Sequence, residues 1–290
     1  MPEPEPEAVK EPGKELEEPA RWPLERLRAR IRLLEQGGRT GPLAGLALDL
    51  PPLDAALPAG GLPLAALHEI APGRLDWDDG PVTGFCLALL IRLLARRPGG
   101  SPGGPEGLVL WLGGSGDLYA PGLAAFGFDP ARLIEGRTQG DGEVLWAMEE
   151  GLRSGALAAV VGEVAEFDTT AARRLQLAAE SGGVTAFLLR RWCRAGGGAA
   201  PLTAASRWRV SAAPAESFAL PASGIAEARP RWQVELLRCR GGRPGNFLME
   251  WDHATGDFSL VAPLCDGSLG AAEDPKERWD QQPAEARRAG

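Results

Sequence analysis

The feature that most constrains the fold is a regular alternation of short apolar segments with longer amphipathic segments between residues 65 and 189. Short apolar runs are typical of buried strands, whereas the intervening segments have helical periodicity. Repeated strand–helix succession predicts an α/β fold with a mostly parallel sheet flanked by helices. The predicted strands are 65–70, 108–112, 132–135, 156–164 and 184–189, and the predicted helices are 81–97, 118–126, 142–155 and 169–181.

The hydrophobic pattern changes to a period of two after the Gly/Ala-rich stretch "RAGGGAAPL". Four segments then alternate apolar with polar residues, which predicts antiparallel strands joined by turns at "GGRPG" and "HATGD". These segments are "SRWRVSA", "RPRWQVELLRCR", "GNFLMEWD" and "DFSLVA". We therefore expect a core at 43–265, with a parallel α/β part at 43–194 and antiparallel strands at 203–262.

The two ends of the chain differ from this core in composition. Residues 1–20 are rich in Pro and Glu and residues 266–290 are polar, so both are predicted to be disordered tails, the first of them acidic. Residues 21–38 predict an amphipathic helix, which either folds back on its own domain or docks on another chain. Its apolar stripe is a candidate partner-binding surface, formed by Leu24, Leu27, Ile31 and Leu34.

The composition favours a globular, cytoplasmic protein. The longest apolar run, "GFCLALLIRLL", contains Arg92 and is shorter than the roughly 20 residues of a membrane span. The N-terminus resembles neither a secretory signal nor a transit peptide. The net charge of -8 argues against a general nucleic-acid clamp, although residues 186–250 carry ten Arg and no Lys against four Glu. This Arg usage suits bidentate contacts to carboxylate, phosphate or a neighbouring subunit, or reflects a GC-rich genome.

The segment "APGRLDWDDGPVTGF" joins a strand to a helix, where nucleotide-binding proteins place a phosphate loop. Such a loop needs a Lys for the outer phosphates and a Ser or Thr for Mg²⁺, and both are missing where this helix opens. A carboxylate in the loop would repel a phosphate about 4 Å away by roughly 4 kcal/mol at an effective dielectric of about 20. Pro81 suits the first helical turn, and Asp79 is the predicted N-cap. The degenerate phosphate loop comprises Gly73, Asp76, Asp78, Asp79, Gly80, Pro81 and Val82.

Several segments, in their order along the chain, resemble those of a known family. They include "LDAALPAGGLPLAALHEI", "DLYAPGLAAFGFDPARLI", "EVLWAMEEGLRSGALAAVVGEV", "RRLQLAAESGGVTAFLLR" and "RPRWQVELLRCRGGRPGNFLMEWDHATGDFSL". Together with the broken phosphate turn, they resemble the ImuA family of bacterial damage-inducible mutagenesis proteins, which are distant relatives of RecA and are also related to SulA-type proteins. The match runs from about residue 22 to residue 262.

The resemblance implies a RecA-like core without the residues for ATP hydrolysis. The acid that assists Mg²⁺ in RecA falls on Glu163, whereas Gly114 or Ser115 stands where RecA has its catalytic glutamate. Without Lys, hydroxyl and base, we expect no catalytic residue, no cofactor and no ATPase activity. Arg238 and Arg240 fall where RecA has two Lys that reach the neighbouring subunit's ATP, which makes them candidate partner-binding residues. Alternatively, they lie on the solvated face of an edge strand.

The family resemblance implies a non-catalytic accessory protein of damage-induced translesion synthesis. Its expected partners are ImuB, an inactive Y-family polymerase homologue, and through ImuB an error-prone replicative-type polymerase. Contact with RecA filaments stays open, and DNA contact is expected to be indirect or weak. Two alternatives remain, namely an ATP-dependent recombinase-like enzyme with an atypical phosphate loop and a cell-division inhibitor of the SulA type.

The remaining candidate residues favour structural roles. His68 lies in an apolar strand, which predicts a core histidine, and His253 lies in a predicted turn beside acidic residues. Trp208 and Trp232 fall at alternating strand positions, which favours burial over stacking on single-stranded bases. The four cysteines are far apart and form no C-x-x-C pair, so we expect reduced thiols and no metal site. They are Cys86, Cys193, Cys239 and Cys265.

Overall fold

The structure is a computed structural model, and a nine-stranded sheet forms its centre. The structure describes residues 45–95, 107–114, 116–191, 203–214 and 229–261. These residues all belong to one compact unit, residues 41–290, and a separate unit at residues 1–40 lies outside the described part. The predicted helix at 21–38, its four stripe residues and the two predicted tails therefore lie outside the described residues.

Eleven strands and five α-helices make up the described part of the chain. The strands are β1 (Gly45–Leu46), β2 (Leu62–Pro63), β3 (Leu67–Pro72), β4 (Val109–Gly113), β5 (Leu133–Arg137), β6 (Ala159–Val164), β7 (Thr185–Arg190), β8 (Ser206–Ala212), β9 (Arg231–Cys239), β10 (Gly245–Asp252) and β11 (Asp257–Leu260). The helices are α1 (Pro51–Ala56), α2 (Asp79–Ala95), α3 (Ala120–Ala125), α4 (Asp141–Arg153) and α5 (Thr169–Gly182). Short 3-10 turns occupy Pro58–Gly60 and Pro130–Arg132.

The strands of the large sheet follow the order β11-β10-β9-β8-β3-β7-β6-β4-β5. The six strands from β8 to β5 are parallel, and β9, β10 and β11 continue the sheet in antiparallel pairs. The segment of β8 was predicted to be antiparallel, and it does pair antiparallel with β9, but on its other side it pairs in parallel with β3, which was not expected from the sequence. The two parts expected from the sequence are therefore joined in one continuous sheet through β8.

Helices cover both faces of the parallel part. Two clusters of buried apolar side chains form the core, one on each face of the sheet. The first cluster includes side chains of α2, α1 and α3, and the second includes side chains of α4 and α5. Side chains of β7 alternate between them, since Phe187 and Leu189 belong to the first cluster and Ala186 and Leu188 to the second. This alternation follows from the pleat of a strand buried on both faces. The sequence-based prediction of an α/β fold with a mostly parallel sheet, flanking helices and antiparallel C-terminal strands is confirmed.

Local sequence explains where α5 begins and ends. The Asp168 carboxylate accepts a hydrogen bond from the Ala171 N–H at 2.7 Å, which caps the first turn. Gly183 follows the helix with a φ of 70°, a left-handed conformation that glycine adopts without steric cost. The predicted helix at 169–181 therefore differs from the observed one by a single residue.

Candidate functional site

The degenerate phosphate loop forms the turn between β3 and α2, here called the phosphate-type turn. One of its own carboxylates occupies the hydrogen-bond donors of the turn. The Asp78 side chain is fully buried, and its Oδ2 accepts hydrogen bonds from the backbone N–H of Arg74 at 2.8 Å and from Arg74 Nε at 3.2 Å. Its Oδ1 accepts from Arg74 Nη2 at 3.1 Å and from the backbone N–H of Ala212 at 3.0 Å. The loop N–H and the basic side chain thus bind an anion that belongs to the chain itself.

The charge of Asp78 is stabilised by these bonds. Burial alone would raise the pKa of the carboxyl, but the hydrogen bonds from Arg74 and Ala212 outweigh burial and hold the pKa below its usual value. Gly73 lies at the start of the turn and donates its N–H to the Val210 carbonyl at 2.9 Å. A Cβ on Gly73 would overlap the hydroxyl of Ser211, which would have to rotate away, so this close approach to β8 favours glycine.

The start of α2 differs from the prediction. Asp79 is the first residue of the helix rather than its N-cap, and the first helical hydrogen bond runs from the Val82 N–H to the Asp78 carbonyl at 3.0 Å. The predicted cap was wrong because α2 begins at Asp79 itself, so that Asp78, which is bonded to Arg74 and Ala212, is the residue directly before the helix. Pro81 lies in the first turn, as expected from its fixed φ.

The Asp79 carboxylate is left in an unfavourable environment. Its Oδ1 is buried, and no donor within the described residues forms a hydrogen bond with that oxygen. Burial raises the pKa of Asp79, the neighbouring Arg191 lowers it, and the charges of Asp76, Asp117 and Asp78 raise it further. The net result is a pKa above the usual range, which marks a site where a donor or cation from outside would be stabilising.

The tip of the same turn points into solvent. Asp76 is exposed and has a φ of 63°, a left-handed conformation that Asp tolerates better than most residues. Trp77 is 78% exposed, more than any other large hydrophobic side chain in the described ranges. The seven residues of the degenerate phosphate loop lie in this one turn. Within it, the Asp78 side chain is buried and the Asp76 side chain is exposed.

A second ionic cluster lies at the ends of β6 and β7. Glu163 is buried and its Oε1 accepts hydrogen bonds from Trp111 Nε1 and from Arg191 Nη1, each at 2.8 Å. Arg191 also donates from Nη2 to Asp117 Oδ2 at 2.6 Å. The acid expected at the end of β6 is thus present, and an Arg is ion-paired with it. Sequence reasoning missed Arg191 and Asp117, although a charged residue directly after a buried strand was a usable signal.

A cleft of about 500 Å³ lies beside the first two turns of α2. One side of the cleft is formed by residues on a single face of α2. The opposite side is formed by the segment around α3 and by the start of β9. Asp117 and Arg191 also line the cleft. The principal lining residues are Gly80, Pro81, Thr83, Gly84, Leu87, Leu118, Tyr119, Leu123, Phe126 and Trp232.

Arg238 and Arg240 lie far from this cleft along the sheet. Strand β9 runs antiparallel to β8, so its first residues lie near the phosphate-type turn and its last residues near Ser206, at the start of β8. The alternative of an edge strand was wrong, because β9 lies between β8 and β10. Both arginines are half-buried, and Arg240 Nη2 donates to the Thr203 carbonyl at 3.4 Å.

The weaker candidates occupy structural positions. His68, Trp208 and Trp232 are buried, as predicted, and His253 lies in the turn between β10 and β11. Cys86 and Cys239 are buried free thiols, while the other two cysteines lie outside the described residues.

The structure places no group of three or more His, Cys, Asp or Glu side chains for metal binding within its described ranges. In the same ranges, every helix is too short or too polar to cross a bilayer.

Comparison with known proteins places the chain in one family. No protein-family model matches the chain. Protein ImuA of Caulobacter vibrioides is 40% identical to the chain over 249 residues, which cover 83% of this chain and 98% of the relative. The same values hold for Protein ImuA from two strains of that organism, NA1000 / CB15N and CB 15. At this identity and coverage, the chain belongs to the ImuA family.

Proposed function

We propose that this member of the ImuA family is a non-catalytic accessory protein of DNA-damage-induced translesion synthesis. Its proposed partners are an ImuB-type inactive Y-family polymerase and, through that protein, an error-prone replicative-type polymerase. Membership in the family supports this role, because the chain spans almost the full length of its relatives. RecA filaments are a further candidate partner, and any contact with DNA is indirect or weak in this proposal.

The observation that carries the non-catalytic part is the position of Asp78. Its carboxylate accepts hydrogen bonds from the backbone N–H and the side chain of Arg74 and from the N–H of Ala212 at the end of β8, the kinds of donor that a phosphate would need. A nucleotide phosphate at this position would meet a buried negative charge and would have to displace it. Because Pro81 and Val82 stand where a phosphate loop has its Lys and hydroxyl, no replacement cation is available from those positions.

A RecA-like core is part of the proposal and is supported by the arrangement of the sheet. The strand before the phosphate-type turn, β3, lies inside the parallel part, and the turn leads directly into a buried helix. Glu163 stands at the end of β6, where the resemblance places the acid that assists Mg²⁺, but here it is bonded to Trp111 and Arg191. In the proposed function this ion pair replaces the metal site.

The partner role is tested by size-exclusion chromatography of the full chain with the ImuB encoded in the same genome. Co-elution is expected for the full chain. A variant lacking residues 262–290 retains every described strand and shows whether that segment carries the contact. Absence of a complex between the two full-length proteins would overturn the proposed role.

Nucleotide binding is tested separately, by thermal unfolding with Mg-ATP. A ligand at about 100 times its Kd stabilises a protein by about 2.7 kcal/mol, so binding at this site would raise the melting temperature visibly. We expect no change at millimolar Mg-ATP. A rise in melting temperature together with ATP hydrolysis would support the recombinase-like enzyme instead.

A further inference from the structure

We propose that the cleft beside α2 binds a segment of a partner protein in which Arg or Lys side chains flank a large apolar side chain. The inference deepens the accessory role proposed above and rests on it. It assigns a docking surface of defined chemistry to the degenerate phosphate site, which would otherwise have no use in a protein without ATPase activity.

The cleft is an open depression that has room for a large side chain of a partner. Its volume of about 500 Å³ lies within the range of about 300–1,000 Å³ that is typical of ligand pockets. The floor and walls are largely apolar, since Leu87, Leu123, Phe126 and Trp232 all line it. Burying one large apolar side chain there contributes about 1.5–3 kcal/mol of hydrophobic free energy.

Charge determines the second part of the occupant's chemistry. Five carboxylates lie in the turn, at the end of β6 and in the wall of the cleft, together with two guanidinium groups that form ion pairs with three of them. The carboxylates are Asp76, Asp78, Asp79, Asp117 and Glu163, and the cations are Arg74 and Arg191. Arg229 and Arg231, beside the cleft at the start of β9, are both ion-paired with Glu250. Asp79 adjoins Gly80 of the cleft, and its Oδ1 has no hydrogen-bond donor within the described residues, so a guanidinium or ammonium group that reached this oxygen would supply one. Charge complementarity therefore favours a basic partner over an acidic one.

Exposed aromatic side chains provide an independent indication of a protein partner. Trp77 is 78% exposed and Tyr119 is 70% exposed, and these are the two most exposed large hydrophobic side chains that the structure describes. Tyr119 lines the cleft, and Trp77 precedes Gly80 of the cleft by three residues. Exposed aromatics of this kind are enriched at protein interfaces, where they supply much of the binding energy.

The groove between α4 and α5 is the main competitor for a docking role. It measures about 360 Å³ and contains the exposed Trp146. Its buried Glu149 forms ion pairs with both Arg153 and Arg174, so the charge of this carboxylate is already compensated by two guanidinium groups. The groove therefore serves as a control site rather than as a second proposal.

Two glycines allow a matched test of the two sites. Gly80 and Gly142 are each the second residue of a helix that begins with Asp, and a Cβ on either one meets no atom within 4 Å. Gly80 belongs to the stripe of α2 that lines the cleft, together with Thr83, Gly84 and Leu87. Gly80→Leu should obstruct the cleft without disturbing the core, and Gly142→Leu places the same side chain in the α4–α5 groove.

The probe is a fluorescein-labelled amphipathic peptide of about 16 residues, with Leu and Trp on one face and Arg on the other. A second peptide has Glu in place of each Arg. Fluorescence anisotropy with the full-length protein should show binding of the Arg peptide only. Gly80→Leu should weaken that binding at least about tenfold, and Asp79→Asn should weaken it by a smaller factor, while Gly142→Leu should leave it unchanged. Melting temperatures of all variants check that the fold is intact.

Each other outcome overturns the inference. Equal weakening by both glycine variants, or by neither, would show that the peptide binds elsewhere on this acidic protein. Equal binding of the Glu peptide would remove the charge preference, and no binding of either peptide at millimolar concentration would remove the site. Such results leave the accessory role standing if the protein still co-elutes with ImuB, so the two proposals fail separately.

Discussion

Ser206 Oγ lies 2.6 Å from Nδ1 of His68, in the pair of parallel strands β3 and β8. The same oxygen accepts a hydrogen bond from Trp208 Nε1 at 2.6 Å. Because an indole N–H can only donate, the Ser206 hydroxyl is free to donate its own proton to His68 Nδ1. His68 then carries its proton on Nε2 and donates it to the Pro63 carbonyl at 2.8 Å. The imidazole is neutral, fully buried and satisfied at both nitrogens.

The burial of His68 predicts a loss of stability in mild acid. Burial lowers the pKa of His68 to about 4, and the hydrogen bond to Pro63 opposes this only partly. The unfolded chain binds the proton with a pKa near 6.5, so the stabilisation is complete above about pH 6.5 and is lost as the pH falls toward 4. The full effect is about 3 kcal/mol. Urea unfolding between pH 7.5 and 4.5 measures it.

The matched variants for this prediction are His68→Gln and His253→Gln, which remove the two histidines one at a time. The pH dependence should become shallower in His68→Gln alone. An unchanged slope in His68→Gln would contradict the assignment.

Asp78→Ala should destabilise the protein by about 2–3 kcal/mol, because it removes a carboxylate that accepts bonds from two backbone N–H groups and a guanidinium. The pKa of Asp78 lies below its usual value. Its contribution is therefore present above the unfolded pKa near 4 and disappears as the pH falls through the lower folded value. Chemical denaturation at pH 7 and in acid measures both effects. Asp76→Asn, on the exposed tip of the turn, should change stability by less than about 0.5 kcal/mol.

Arg191→Met should cost about 3–5 kcal/mol, since it removes the ion pair between Arg191 and the buried carboxylate of Glu163. Arg191→Lys keeps the charge but cannot reproduce the planar contacts to both Glu163 and Asp117, so an intermediate loss is expected. The control is Arg137→Met, because Arg137 is 75% exposed and its ion pair with Glu135 should contribute less than about 1 kcal/mol. Equal losses for Arg191→Met and Arg137→Met in thermal unfolding would refute the network's role.

Gly182→Ala tests the contact between the C-terminal ends of α4 and α5. A Cβ at Gly182 would overlap the Leu152 carbonyl oxygen, a backbone atom that cannot move aside cheaply. We expect a loss of about 2–3 kcal/mol through overpacking. Gly142→Ala, at a helix position where a Cβ meets nothing, should be neutral or slightly stabilising in the same denaturation experiment.

The sequence by itself determined the type and order of most elements. The segment "SRWRVSA" coincides residue for residue with β8, and the helix predicted at 169–181 is α5 at Thr169–Gly182. These predictions succeeded because strand alternation and helical periodicity are local properties, set by residues within a few positions of one another. The short elements β1, β2 and α1 were missed, because segments of two to six residues carry too little periodicity.

The tertiary structure alone decided how these elements combine. The parallel pairing of β8 with β3, which unites the two halves of the sheet, depends on strands more than a hundred residues apart. Asp78 bonds to Ala212 across 134 residues and Arg191 to Asp117 across 74, whereas Asp76, two residues before Asp78, stays in solvent. A carboxylate in a turn favours solvent unless the fold supplies donors that compensate its burial, and these donors come from distant parts of the chain. Burial and the donors brought within reach by the fold determine whether it closes a loop, pairs with an Arg or stays exposed.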